Sequence, residues 1–243
     1  MRLSGLRLRC GAPGQLAEFY QRHFGMEVRR DGPGWRVGFA GIDADLVFVP
    51  GGSTYQHDRG QRYWKIGVTL PNVDMAYQHL TQAGVNVSTP KQFLDIGYMC
   101  HLTDPNGFVI ELLQQDFDGN RPAGAGDPNQ PLGGGGRIGQ ITLRTGDIGS
   151  DDTRAKAIGM RLLSLQDVAD YGFDLHFYGF GTETPPQPDL WSVRNREWLW
   201  KRHYTLLEFQ HIADARFAPV PDFLGIEVEG LDPAASDGEF VAV

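Results

Sequence analysis

Two short segments of the chain occur twice, and this repetition limits the fold more than any other feature. Leu8-Arg9-Cys10-Gly11 returns as Leu143-Arg144-Thr145-Gly146 at an offset of 135, and Gly25-Met26 returns as Gly159-Met160 at an offset of 134. A chain of 243 residues that restarts midway is built by duplication, so its second half is read with the template of the first. A third echo, Ile110-Glu111-Leu112 against Leu207-Glu208-Phe209, has an offset of only 97, which leaves the second half short by about 38 residues. Residues 116–136 separate the halves. They are rich in Gly and Pro and almost free of large apolar side chains, which predicts a flexible tether outside any core. The expected division is residues 1–115, the linker 116–136, a partial domain 137–212 and a tail 213–243.

Periodicity fills in the repeating unit. Leu6, Leu8 and Cys10 alternate with Gly5, Arg7 and Arg9, the period of a strand. Leu16, Phe19, Tyr20 and Phe24 follow helical spacing, and Gly25 supplies the stop. Strands near 26–31, 35–40 and 45–49 complete the order βαβββ. The order repeats at once: a strand from Trp64 to Leu70, Asn72 as N-cap, a helix carrying Val73, Tyr77, Leu80 and Ala83, and strands near 85–88, 97–103 and 108–113. Beyond the linker, residues 138–145, a short helix over 151–158, and strands at 160–167, 172–180 and 203–211 make a third module.

Thirty acidic residues against 22 basic ones give a formal charge of −8, the wrong field for a polyanion, so nucleic acid is not an expected partner. No apolar run approaches the roughly 20 residues of a spanning helix, and the opening MRLSGLRLRCG lacks the apolar core of a secretion signal. A cytoplasmic protein with no membrane partner is expected, with Cys10 and Cys100 as buried thiols rather than a disulfide.

Paired βαβββ modules, the run AEFYQRHFGM after the opening strand and the closing LTDPNGFVIELL together resemble the vicinal oxygen chelate superfamily. That superfamily includes glyoxalases, bleomycin-resistance proteins, methylmalonyl-CoA epimerases and extradiol dioxygenases. The resemblance covers residues 1–115 well and 137–211 in part. It implies an α+β fold of paired βαβββ modules forming half-open β-barrels, glyoxalase/dioxygenase-like, with the second half incomplete. It fixes no single activity, because one scaffold hosts lyases, isomerases, dioxygenases and binders.

Metal-holding members of the superfamily draw ligands from the first and last strands of each module. In the first half this resemblance selects Gly5, a position near Val47, Lys65 and Glu111. Only Glu111 suits a divalent ion, and Lys65 repels one, so Lys65 and Glu111 are expected to pair where other members hold a metal. In the second half it selects Gln140 and Glu208, and His176 adds an imidazole from a neighbouring strand, while His203 and His211 flank Glu208. Gln140, His176 and Glu208 would suit Fe, Mn, Ni or Zn as a divalent transition metal, with Glu208 as a base. The alternatives are a solvated Gln140, a structural His176, and an ion pair of Glu208 with Arg144, Lys201 or Arg202.

Three further segments carry weight. Asn195 to Arg202, with Trp198 and Trp200, reads as a rim packed on the first domain or as a lid. Tyr55 to Arg59 reads as an exposed loop bordering the cup. Arg7 and Arg9 read as a solvated strand face or as receptors for an anion. Two functions follow. One is a metal-dependent enzyme of glyoxalase or dioxygenase type, acting on a small substrate with vicinal oxygens. The other is a metal-free binder whose cup, lined by Arg7, Arg9, Trp35, Lys65, Tyr98 and Glu111, sequesters an aromatic or anionic small molecule. Because an unpaired half-barrel leaves an open edge, the third module is expected to pair with its twin in a homodimer.

Overall fold

The computed structural model describes residues 1–243. It opens with the first module: β1 (Arg2–Cys10), α1 (Pro13–Phe24), β2 (Glu27–Asp31), β3 (Gly34–Gly38) and β4 (Asp45–Pro50). The second is β5 (Tyr63–Leu70), α2 (Val73–Gln82), β6 (Lys91–Phe93), β7 (Gly97–Thr103) and β8 (Val109–Gln114). The third is β9 (Arg137–Thr145), α3 (Ile148–Ala157), β10 (Arg161–Val168), β11 (Phe173–Gly179) and β12 (Leu206–His211), with α4 (Arg196–Trp200) inserted before its last strand. Two more strands follow, β13 (Phe223–Glu229) and β14 (Phe240–Ala242). No helix is long and apolar enough to cross a membrane.

Local chemistry explains the helix ends. Pro13 lies in the first turn of α1, where its missing N–H costs nothing, and Gly25 closes the helix at φ 71°. The Asn72 side chain accepts a hydrogen bond from Met75 N, as an N-cap should, and Asp147 does the same for Ser150 N at the start of α3. The strand anticipated at 85–88 is reduced to a single bridge between Val87 and Leu102, and β6 forms later, at 91–93. Cys10 and Cys100 are free and buried.

The modules do not pair in the order in which they follow one another. One sheet runs β14-β13-β1-β4-β3-β2, and the other runs β10-β11-β12-β9-β5-β8-β7-β6. The second module therefore joins the third through the antiparallel pair β5 and β9, with Ile66 opposite Ile141 and Gly67 opposite Gln140. The first module joins the tail, β1 against β13. Each sheet draws on both sides of residues 116–136, so sheets and sequence segments divide the chain differently. The pairing that suggested a homodimer is made within one chain.

This arrangement also relocates the missing residues. The offset of 97 joins the closing strands of modules two and three, which share one sheet, and it is the tail that falls short of a module, supplying only β13 and β14 beside the first. That remnant is anchored. Ile226, Val228 and Phe240 are buried, and Arg62, just before β5, binds Asp151 of α3 at 2.7 Å and Glu239 at 2.8 Å, tying the chain end to both. The six-stranded sheet closes over its own ion cluster: buried Glu227 accepts from Arg7 at 2.9 Å and Arg36 at 2.8 Å. Gly5 permits this, since a Cβ there would meet Glu227 Oε2 at 2.3 Å.

The linker is not a loose tether. Leu132 is 1% exposed and belongs to the main core, and residues 131–133 pack against both α1 and α2. One leucine between a proline and a run of glycines is enough to dock the segment, which a composition average conceals. Leu132→Ala is expected to lower stability by about 2–5 kcal/mol in urea unfolding, the range for a buried leucine. A loss within about 0.5 kcal/mol, as at a surface site, would restore the tether reading.

Candidate functional site

The eight-stranded sheet curls around a cavity of about 920 Å³. Lys65 on β5, Glu111 on β8, Gln140 on β9 and Glu208 on β12 all line it, and all are buried. They are the first and last strands of modules two and three, so the four positions singled out from the sequence meet in one cup. Lys65 Nζ lies 2.8 Å from Glu111 Oε2 and 3.6 Å from Glu208 Oε2. Gln140 Nε2 donates to both carboxylates, at 3.0 Å to Glu111 Oε1 and 3.1 Å to Glu208 Oε2. Thr142 Oγ1 donates to Glu208 Oε2 at 2.6 Å, and His101 Nε2 lies 3.0 Å from Glu111 Oε2. Gly67 makes room for this network, because a Cβ there would stand 2.5 Å from Gln140 Cγ.

The electrostatics divide the two carboxylates. Burial acts to raise Glu111, but the Lys65 ammonium and His101 outweigh it and hold the carboxyl below its usual range. Burial raises Glu208, Lys65 only partly offsets that, and the neighbouring Glu111 charge adds to the rise. Lys65 itself is held above the ordinary lysine range, since its two carboxylate neighbours outweigh burial. One ammonium thus serves two acids, offsetting burial fully for Glu111 and only in part for Glu208.

Above this floor the walls are apolar, with Ile96, Met99, Leu113, Leu175, Phe177 and Trp200. Trp200 is fixed by its indole N–H donating to Ile96 O at 3.2 Å, and Lys201 and Arg196 pair with Asp116 and Asp95. The segment from Asn195 to Arg202 is therefore a packed rim. At the opposite end sits Arg144, 3% exposed. Its guanidinium donates to Gln210 Oε1 at 2.9 Å and to the carbonyls of Asp58 and Gln61 at 3.2 Å, but no carboxylate lies within 4.0 Å of it. Burial lowers its pKa to about 10, Arg59 adds to that effect, and Tyr55 and the more distant Asp58 carboxylate only partly oppose it. Arg144 and Lys65 both lie over the Trp64 ring, each 4.6 Å from its centroid, and His57 and Arg59 border the same cavity.

Other expected site residues lie elsewhere. His176 is not in the cup: Phe173, Leu175 and Phe177 line the cavity, so Asp174 and His176 between them turn to the helix-covered face. There His176 Nε2 meets Asp174 Oδ1 at 2.6 Å, and the set of Gln140, His176 and Glu208 is not assembled. Tyr98 donates to Asp74 of α2 at 2.7 Å, away from the floor. Arg7 and Trp35 belong to the six-stranded sheet, Trp35 under Arg30 at 4.1 Å, and Arg9 lies on β1 of that sheet. Lys65 and Glu111 are the two members of the expected binder set that meet.

Arg144 and Thr142, with His101 and Gln210, complete the site, Arg144 as a cavity-lining cation rather than as the partner of Glu208 weighed from the sequence. The signal for the first two was available: Gln140, Thr142 and Arg144 alternate along a strand that is apolar between them. A solvated Gln140 on this face is one of the alternatives given above, but Gln140, Thr142 and Arg144 are all buried.

A metal in this cup is poorly matched by the residues present. The ammonium of Lys65 stands between the two carboxylates and pairs with both, and Gln140 presents its NH2 to them while its Oε1 has no partner. A divalent ion would have to displace the first and reverse the second.

Residues 2–112 match the sequence model of the family described as the Glyoxalase/Bleomycin resistance protein/Dioxygenase superfamily. Among solved structures the chain is similar to glyoxalase I from Zea mays, with 18% identity and a TM-score of 0.69, covering 94% of this chain and 74% of that one. It is also similar to a putative dioxygenase from Bacillus subtilis, with 15% identity and a TM-score of 0.58, covering 97% and 72%. These likenesses show a shared fold over nearly the whole chain, including the tail. No curated protein matches by sequence.

The lysine is expected to hold the floor together. Lys65→Met leaves two buried carboxylates facing each other and is expected to cost about 3–5 kcal/mol in urea unfolding. Adding Glu208→Gln to that variant should recover part of the loss, because one charge is then removed. A cost below roughly 1 kcal/mol for Lys65→Met would show that the ammonium does not balance the pair.

Proposed function

We propose that the cup binds a small molecule without a metal ion, taking a largely apolar body against its walls and an anionic group at Arg144. The observation that carries this reading is the position of Lys65 Nζ, 2.8 Å from Glu111 and 3.6 Å from Glu208, at the convergence of the four strands. The cation of this cup is a side chain of the protein. Membership of residues 2–112 in a superfamily that includes bleomycin-resistance proteins agrees with such a role.

Arg144 defines the ligand's charge. A buried guanidinium without a carboxylate is costly in isolation, and its carbonyl partners satisfy N–H groups without cancelling the charge. A carboxylate entering from the cavity would supply that charge and hydrogen bonds about twice as strong as neutral ones. Gln140 Oε1, buried and without a partner, offers an acceptor to a ligand N–H or O–H. The aromatic wall favours a flat apolar body.

Isothermal titration with 2-naphthoate and the neutral 2-naphthamide in excess EDTA tests this reading. The carboxylate is expected to bind in EDTA and to bind more tightly than the amide, and Arg144→Gln should erase the difference of roughly ten- to a hundredfold that a charged hydrogen bond supplies. Binding that appears only after a divalent metal is added would overturn it.

A further inference from the structure

The helix-covered face of the eight-stranded sheet carries a second cluster, behind the cup and separate from it. Asp174 and His176 are two residues apart on β11, so their side chains leave the same face, and His211 on β12 lies directly opposite Asp174. His176 Nε2 is 2.6 Å from Asp174 Oδ1, and His211 Nδ1 is 3.2 Å from each oxygen of the same carboxylate. One donor atom from each residue lies within 4.8 Å of the others. The two imidazoles stand nearly perpendicular, 87° apart, with centroids separated by 6.0 Å.

We propose that Asp174, His176 and His211 form a binding site for a divalent transition metal, with zinc the ion that suits it best. Two imidazole nitrogens and one carboxylate oxygen are the donor set of an open zinc site, and bond lengths of about 2.0–2.2 Å need only a small outward swing of the present side chains. Strand geometry supplies the preorganisation. Positions i and i+2 on one strand and the facing position on the next converge without any loop, and both strands are held in the middle of the sheet by their neighbours. The side chains are 15% and 18% exposed for His176 and His211, so water completes the coordination from one side. The nearby Asp152 is already engaged by Tyr178 at 2.9 Å and Lys156 at 2.7 Å, which leaves three protein ligands.

The ion would clamp the strands that form the back of the cup. Phe173 and Leu175 flank Asp174, Gln210 and Ile212 flank His211, and all four line the cavity from the other face. Zinc binding therefore stiffens the wall against which the ligand packs and takes no part in the cup's own chemistry.

Titration of the full chain, stripped with EDTA and dialysed, with zinc sulfate tests the proposal by calorimetry and by thermal unfolding. One zinc per chain and a higher unfolding temperature are expected. His176→Gln and His211→Asn, each shown to be folded by its own cooperative melt, should weaken binding more than roughly tenfold, the scale on which even outer partners of a metal matter. Glu208→Gln should bind zinc as the unaltered chain does. Cobalt in place of zinc should give the absorption of a nitrogen- and oxygen-ligated ion that His211→Asn abolishes. No zinc binding at micromolar concentrations, or binding lost in Glu208→Gln and kept in both histidine variants, would overturn the site. The second result would place the ion in the cup and so contradict the metal-free reading separately.

Discussion

A buried carboxylate must find a positive partner, and in this chain two of them share one. Glu111 and Glu208 arrive from the closing strands of different modules, and Lys65 from the opening strand of one, so the floor of the cup exists only when modules two and three lie side by side. The polar cluster and the sheet pairing therefore support each other. Gln140 adds two hydrogen bonds that bridge the acids, and Gly67 across from it leaves the space that this bridge needs. What the four residues do together is hold two buried carboxylates around one ammonium at the floor of the cavity.

Duplication explains why the cup can form at all. Each βαβββ module is half of a cup, and the sheet edge it exposes has to be covered. The chain solves this by crossing its modules, the second with the third and the first with the tail. The tail supplies only two strands, and the six-stranded sheet is correspondingly shallow, with Arg7, Arg36 and Glu227 in its interior. One sheet encloses the large cavity and the other closes over its own ion cluster.

Much of this was legible in the residues. The repeat and the helix ends at Gly25 and Asn72 follow from spacing, the pairing of Lys65 with Glu111 follows from the family resemblance together with charge, and Gln140 does meet Glu208. The module partners were not legible, because strand periodicity states which face is buried and not which neighbour lies beside it. Taking the echo at 207–209 as the end of a second half followed from that gap. His176 failed for a local reason: on a strand the odd positions Phe173, Leu175 and Phe177 take the cavity, and the even ones must turn away. Arg144 was legible only as a possible partner of Glu208, and its bond to Gln210 instead depends on how β9 and β12 lie side by side.

The state of the Lys65 amine tests the account most directly. In protein labelled with nitrogen-15 at lysine, the Nζ resonance of Lys65 should be that of a charged ammonium, protected from exchange with water, and should stay unchanged when excess zinc is added. A neutral amine at neutral pH, or a signal that shifts or vanishes as zinc enters beside Glu111 and Glu208, would contradict the claim that this lysine serves as the cup's cation.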